Sequence, residues 1–174
     1  MDDLAQFNPR TYVLFLVLLV MARGMDFLST WIATPRLMLE ANPLARRLGW
    51  RWGVAVNGLF CLAIAGWGLP SIIVATTSVL VAARNFQTAW LMRTLGEETY
   101  RHWIREQLRQ ADPVLYWFCL WGQSLLWAGV GTALVLFSGL DPVPLAVGMG
   151  MIAYALAVLF YTSLAVRRLR RGSD

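Results

Sequence analysis

Three ionisable side chains stand where an apolar sequence tolerates few. Arg23 and Asp26 interrupt the run that opens at Tyr12, and Arg84 interrupts another between Ser71 and Met92. In mid-membrane, an Arg or Asp costs roughly +2.5 to +3.5 kcal/mol on insertion scales, against about −0.3 to −0.6 for Leu or Val. Groups kept at that cost serve a ligand or proton path, or lock helices together as buried ion pairs. On a helix, Arg23, Asp26 and Thr30 share one stripe, and Asp26 can reach Arg23 within a turn. Thr77, Arg84 and Thr88 share another, with Asn85 and Gln87 beside it. These two stripes are expected to meet.

Depth reinforces the pattern. Asp26 lies eight residues before Thr34, Arg84 eight before Met92, Asn57 five after Trp52 and Gln123 nine after Val114. At about 1.5 Å per residue these side chains share a layer roughly 8 to 14 Å from one membrane boundary. The candidate ligand-binding set is Arg23, Asp26, Thr30, Glu40, Asn42, Asn57, Arg84, Asn85, Gln87 and Gln123, with Asp26 balanced between Arg23 and Arg84.

Glu40-Ala41-Asn42-Pro43-Leu44 follows the first charged stripe. Asn42 can cap a helix, Pro43 suits its first position, and Gly49 can end a short turn carrying Arg46 and Arg47. Capping leaves Glu40 unexplained; it is read either as a solvated acid or as an inner lid folded back over the polar layer. Asp26-x3-Thr30 followed by Glu40-x-Asn42-Pro43-Leu44 resembles the opening hairpin of families of small, uncharacterised prokaryotic membrane proteins. The resemblance covers about Gly24 to Leu44. It implies a polytopic membrane fold in which Asp26, Thr30, Glu40, Asn42 and Pro43 form one functional unit, and it implies no reaction. Pro35 and Arg36 stand where those families commonly have a glycine-containing turn, and the span count expected here is higher.

The elements that must position these residues can be read from composition and charge. The 174-residue chain is 58% hydrophobic and 14% charged, with a mean hydropathy of +0.55, which implies a polytopic membrane protein. All 15 positive side chains are Arg, which suggests a high-GC prokaryotic source. Twelve fall in three groups: Arg36, Arg46, Arg47 and Arg51; Arg93, Arg101, Arg105 and Arg109; Arg167, Arg168, Arg170 and Arg171. The intervening spans are expected at about 11–34, 52–69, 71–92, 114–137 and 143–166, near the roughly 20 residues a hydrocarbon core demands. Five spans, amino end outside and carboxyl end in the cytoplasm, put all three groups inside. Asp2 and Asp3 stand where a signal peptide would be positive, so the first span is expected to remain in place. Trp31, Trp50, Trp52, Trp90, Trp103 and Trp117 then form an inner-leaflet girdle.

The fold class expected is therefore all-α, a five-span bundle forming a single integral membrane domain over residues 1–174, in a prokaryotic inner membrane. An interfacial helix at about 97–110 completes it: Tyr100, Trp103, Ile104 and Leu108 recur on one face, Arg101, Arg105 and Arg109 on another, and Glu97 and Glu98 stand at its start. Its arginines should touch lipid phosphates.

Absences narrow the chemistry. One histidine, His102, cannot make a multi-His metal site, and no metal or other cofactor is expected. Cys61 and Cys119 lack metal-like spacing and read as small buried hydrophobes. There is no nucleotide-binding glycine pattern, nucleophile elbow or paired cysteine motif, and nucleic acid is not an expected partner. Membrane lipids are, above all anionic headgroups at the cytoplasmic face. Small residues at Ala55, Gly58, Ala65, Gly129, Gly131, Gly148 and Gly150 permit close helix approach, within the bundle or with a second copy or membrane partner. Three functions remain: binding or transport of an anionic or headgroup ligand; acid/base chemistry by Asp26 and Glu40 on a lipid-linked substrate; or an accessory subunit whose polar residues lock helices.

Overall fold

The computed structural model describes residues 8–139 and 141–171; Asp2 and Asp3 lie outside them. Six α-helices account for nearly all of the described residues: α1 (Pro9–Ala33), α2 (Pro43–Ile64), α3 (Gly68–Leu95), α4 (Glu97–Gln110), α5 (Pro113–Phe137) and α6 (Pro142–Arg171). Proline set behind an Asx residue starts four of them. Asn8, Asn42 and Asp112 are N-caps whose side chains accept from the amides of Arg10, Leu44 and Val114, and Asp141 accepts from the Val143 amide ahead of α6. Proline at the first helical position loses no hydrogen bond there and has its φ preset.

Four helices, α1, α3, α5 and α6, are long and apolar enough to cross a membrane. The second expected span falls on α2, which is not among them. Gly49 (φ 65°, ψ −174°) breaks α2 after the turn that carries Arg46 and Arg47, and residues 50–64 extend only about 22 Å. The turn that follows lies ahead of Pro70, not at it. Trp67 donates its amide to the Ile64 carbonyl, the Ser71 hydroxyl donates to the same oxygen, and Pro70 sits in the first turn of α3, where its missing N–H is harmless.

The closest packing joins α1 to α3, then α5 to α6 and α3 to α6. Along α1 the buried positions are Phe15, Leu19, Ala22, Ser29 and Ala33; along α3 they are Gly68, Ser71, Ala75, Ser78, Ala82 and Ala89. Both series step by three or four with one step of seven, the spacing of a helix–helix seam, and small residues let the backbones approach. Ile72 and Val74 pack with Phe15 and Leu19, while Asn85 reaches Ser29 and Thr30, so α1 and α3 run parallel. Beside α1, α2 runs antiparallel, with Gly53 against Phe27 and the Leu62 carbonyl accepting from the Tyr12 hydroxyl at 3.0 Å.

The other half is built on α6. A Cβ added to Gly131 of α5 would stand 2.7 Å from the Gly148 oxygen of α6, and one added to Gly150 would stand 2.9 Å from the Ile73 oxygen of α3. Glycine is required at both crossings. Gly129 and Gly58, by contrast, face open space. Cys61 is buried, as a small hydrophobe should be, but Cys119 is exposed on α5. Gly96 (φ 78°) turns the chain from α3 into α4, whose Tyr100 and Leu108 are buried while Trp103 remains 42% exposed.

Candidate functional site

The seam between α1 and α3 carries the first polar group. Asp26 falls four residues after Ala22 and Asn85 three after Ala82, so both occupy seam positions. Arg23 leaves the same helix face and is held on three sides. Its Nη1 pairs with Asp26 Oδ2 at 3.0 Å and donates to Ser78 Oγ at 3.3 Å. Its Nε donates to Asn57 Oδ1 at 2.9 Å, which also accepts from Nη2. Asn57 is itself oriented, donating to the Gly53 carbonyl at 2.8 Å. The Asn85 amide donates to Ser29 and Thr30 at 3.3 and 3.4 Å. One guanidinium thus ties together α1, α2 and α3, neutralised by a carboxylate one turn away.

Arg84 is absent from this group. Its Nη2 donates to Thr162 Oγ1 of α6 at 3.2 Å, two turns along from the buried Tyr154 of the same helix. The two charged stripes do not meet: Arg84 and Asn85 are consecutive, some 100° apart around α3, so Asn85 addresses α1 and Arg84 addresses α6. Gln87 and Gln123 are exposed and join neither group.

The α1–α2 connection folds over the end of the bundle and is fastened by Glu97, the first residue of α4. Its Oε2 accepts from the Thr34 hydroxyl at 2.6 Å and the Met38 amide at 2.9 Å, and its Oε1 from the Arg36 amide at 2.7 Å. The Thr34 hydroxyl also accepts from the Leu39 amide at 3.2 Å. Between the two clamped amides, Leu37 takes φ 57°, a left-handed conformation rare for leucine, and is buried. The indole of Trp50 donates to the Pro35 carbonyl at 2.8 Å and meets Phe27 edge-on. Next to this connection, Arg93 lies over the Trp31 ring, 5.5 Å from its centroid.

Held this way, residues 36–41 wall a cavity of about 300 Å³. Four arginines line it from four parts of the chain: Arg36 of the connection, Arg46 of α2, Arg101 of α4 and Arg168 of α6, with Glu40 as the carboxylate among them. No described carboxylate forms an ion pair with Arg36, Arg46 or Arg168; Arg168 donates to the Ala41 carbonyl at 3.4 Å. Glu40 Oε1 accepts from the Asn42 amide at 2.8 Å. Burial pushes the Glu40 carboxyl above its ordinary range, against the opposing pull of the Asn42 and Ala41 amides. Glu40 also stands near enough to Asp26 for the two carboxylates to repel.

Of the residues read from sequence, Arg23, Asp26 and Asn57 come together, and Asn85 bonds Thr30 beside them. Glu40 lines the cavity and Asn42 caps α2. Arg36, Arg46, Arg101 and Arg168 escaped as site residues because the sequence offers a topological reading for their clustering, and Glu97 escaped because an acid at a helix start is already accounted for by the helix dipole. Among the described residues no three His, Cys, Asp or Glu side chains gather as a metal-binding group. Comparison of the chain with protein-family models, with curated proteins and with solved structures gives no match.

Proposed function

We propose that this protein is a prokaryotic inner-membrane protein that binds a phosphate-bearing anionic headgroup in the cavity ringed by Arg36, Arg46, Arg101 and Arg168, as an end in itself or as the first step of transport. One observation carries the reading: four guanidinium groups from four segments surround one cavity that holds a single carboxylate. Guanidinium matches phosphate in a bidentate fork, and each Arg near an anionic leaflet contributes about 1 kcal/mol of attraction. Arg23, by contrast, is occupied by Asp26 and Asn57 and acts here as the lock beneath the site.

The reading includes five passes, amino end outside. The parallel course of α1 and α3 supports it, since the chain between them must return across the layer, and α2 runs antiparallel beside α1 with its ends at the levels of Phe27 and Tyr12. The likeness of Asp26-x3-Thr30 and Glu40-x-Asn42-Pro43-Leu44 to the opening hairpin of small prokaryotic membrane proteins belongs to the same proposal. Cysteine labelling that found α4 on the outer face would refute this topology.

The binding test is native mass spectrometry of the detergent-purified protein with phosphatidylglycerol, comparing wild type with an Arg36→Gln/Arg46→Gln/Arg168→Gln variant of equal thermal stability. Loss of a retained anionic lipid in the variant is the expected result; equal retention sinks the proposal. A second reading, acid/base chemistry on a lipid-linked substrate, is favoured by the proximity of Glu40 to Asp26. It requires Glu40→Gln to abolish turnover while binding persists.

A further inference from the structure

Where α3 packs on α6 beside α5, a cation stands without a described carboxylate partner. Arg84 lies eleven residues before the end of α3, roughly 16 Å along the axis. No described carboxylate pairs with it, whereas Arg23 at comparable depth has Asp26. What surrounds Arg84 is hydroxyl: Thr162 Oγ1 at 3.2 Å, the buried Tyr154, and Tyr116 of α5, which feels the charge of both Arg84 and Arg170. Tyr116 and Tyr154 belong to one packed group with Leu120 and Val158. One side of the bundle therefore gathers a guanidinium, a threonine hydroxyl and two phenols, with Arg170 two turns further along α6 from Thr162.

A hydroxyl that accepts from an arginine still has its own proton to give. Elsewhere in the bundle that proton goes to a carbonyl one turn back, as from Thr77 to Ile73 and from Ser124 to Leu120. Thr162 has no such described acceptor. Protons on Thr162 and the two tyrosines, with two positive charges, call for an acceptor that is itself negative, since a cation in hydrocarbon is otherwise costly.

We propose that Arg84, Thr162, Tyr154, Tyr116 and Arg170 form a second anion site, one that takes the phosphate of an anionic membrane lipid against α3, α5 and α6. It is separate from the arginine-ringed cavity: Arg168 and Arg170 are two residues apart on α6, so they leave it on opposite sides. The occupant is a lipid phosphate, not a free one, because Arg84 lies within the apolar length of α3, and α5 and α6 offer exposed apolar flanks such as Phe118 and Phe160 to acyl chains.

The test uses the whole chain in nanodiscs of phosphatidylcholine with limiting phosphatidylglycerol, read by native mass spectrometry after lipid exchange. Arg84→Gln should weaken retention of one phosphatidylglycerol by roughly tenfold or more, while the Arg36→Gln/Arg46→Gln/Arg168→Gln variant keeps that lipid. Should Arg84→Gln fail to fold, Arg170→Gln and Tyr116→Phe replace it, with the same loss expected. The proposal is overturned if phosphatidylglycerol retention is unchanged in all of these, if phosphatidylcholine is held equally well, or if inorganic phosphate displaces the lipid. If only the cavity variant loses its lipid, the second site fails and the first stands; if only Arg84→Gln does, the reverse holds.

Discussion

Replacing Glu97 with Ala should release the α1–α2 connection and remove one wall of the cavity. The carboxylate accepts three hydrogen bonds, from the Thr34 hydroxyl and the Arg36 and Met38 amides, all at 2.6 to 2.9 Å. Bonds to a charged acceptor contribute about 1.5 kcal/mol each at the lower end of their range. Two corrections reduce that sum. Glu97 is only half-buried, so freed amides regain water, and Leu37 can leave its φ of 57°, returning about 1 to 2 kcal/mol of strain. The net loss for local opening is then about 2 to 3 kcal/mol, a rise in exchange rate of roughly 30- to 150-fold. Hydrogen–deuterium exchange over residues 34–39 measures it directly. Glu98→Ala, which removes the exposed neighbour, is the control and should leave exchange unchanged. Glu97→Gln should fall between, because its amide nitrogen cannot accept from a backbone N–H. If Glu97→Ala and Glu98→Ala exchange alike over this segment, the clamp does not hold the connection and the cavity wall is stable without it.

Gly131→Ala should lower the melting temperature through a destabilisation of about 1 to 3 kcal/mol: its Cβ would stand 2.7 Å from the Gly148 oxygen and about 3 Å from Ile152 and Met151, and a backbone oxygen cannot swing aside. Gly129→Ala faces open space and should cost nothing; equal melting temperatures for the two would show that α5 and α6 are not closely packed there. Glu40 supplies a pH test. Its carboxyl is raised above 4.5 by burial, so the protonated form is the one favoured in the fold. Its contribution to stability is full below pH 4.5 and is lost as pH rises through the raised value. Phosphatidylglycerol keeps its charge across this window, so its binding should strengthen as pH falls and the one carboxylate in the cavity is neutralised. Glu40→Gln should bind tightly throughout; a pH profile identical to wild type would show that another group titrates.

The sequence reading succeeded where a residue's behaviour is set by its own helix. Glu97 to Gln110 was legible as an amphipathic helix because its apolar and basic faces recur at helical spacing, and Arg23 with Asp26 because one turn separates them. The Asn42-Pro43 start and the break at Gly49 are local too. Reading failed where a side chain must choose among neighbours. Arg84 and Asn85 share nearly the same depth, yet α3 is packed against α1 on one side and α6 on the other. Only the small-residue seam, Ser71, Ala75, Ser78, Ala82 and Ala89, shows which side faces α1, and it assigns Asn85 there and turns Arg84 away. Composition, not length, sets α2 apart from the longer spans: its 22 residues would suffice, but Arg46, Arg47, Arg51 and Asn57 leave it less apolar than the other four. The cavity could not be read: its arginines are spread from position 36 to position 168.

The arginines of this chain differ less in chemistry than in what the protein supplies to meet them. Arg23, inside the bundle, has a carboxylate and an oriented amide, and breaking that set by removing one partner strands a charge, which costs more than the pair contributes. Arg84, also inside, has only hydroxyls, which screen a positive charge without cancelling it. Arg36, Arg46 and Arg168, at the end of the bundle, have a cavity and a clamped connection. Compensation by the protein therefore falls from the α1–α3 seam towards α6 and towards the end where α4 lies. On the proposed reading, an anion arriving from the adjoining leaflet would meet that gradient and bind where positive charge is left for it to neutralise. Arg23, neutralised by Asp26, instead links α1, α2 and α3 through Asn57 and Ser78.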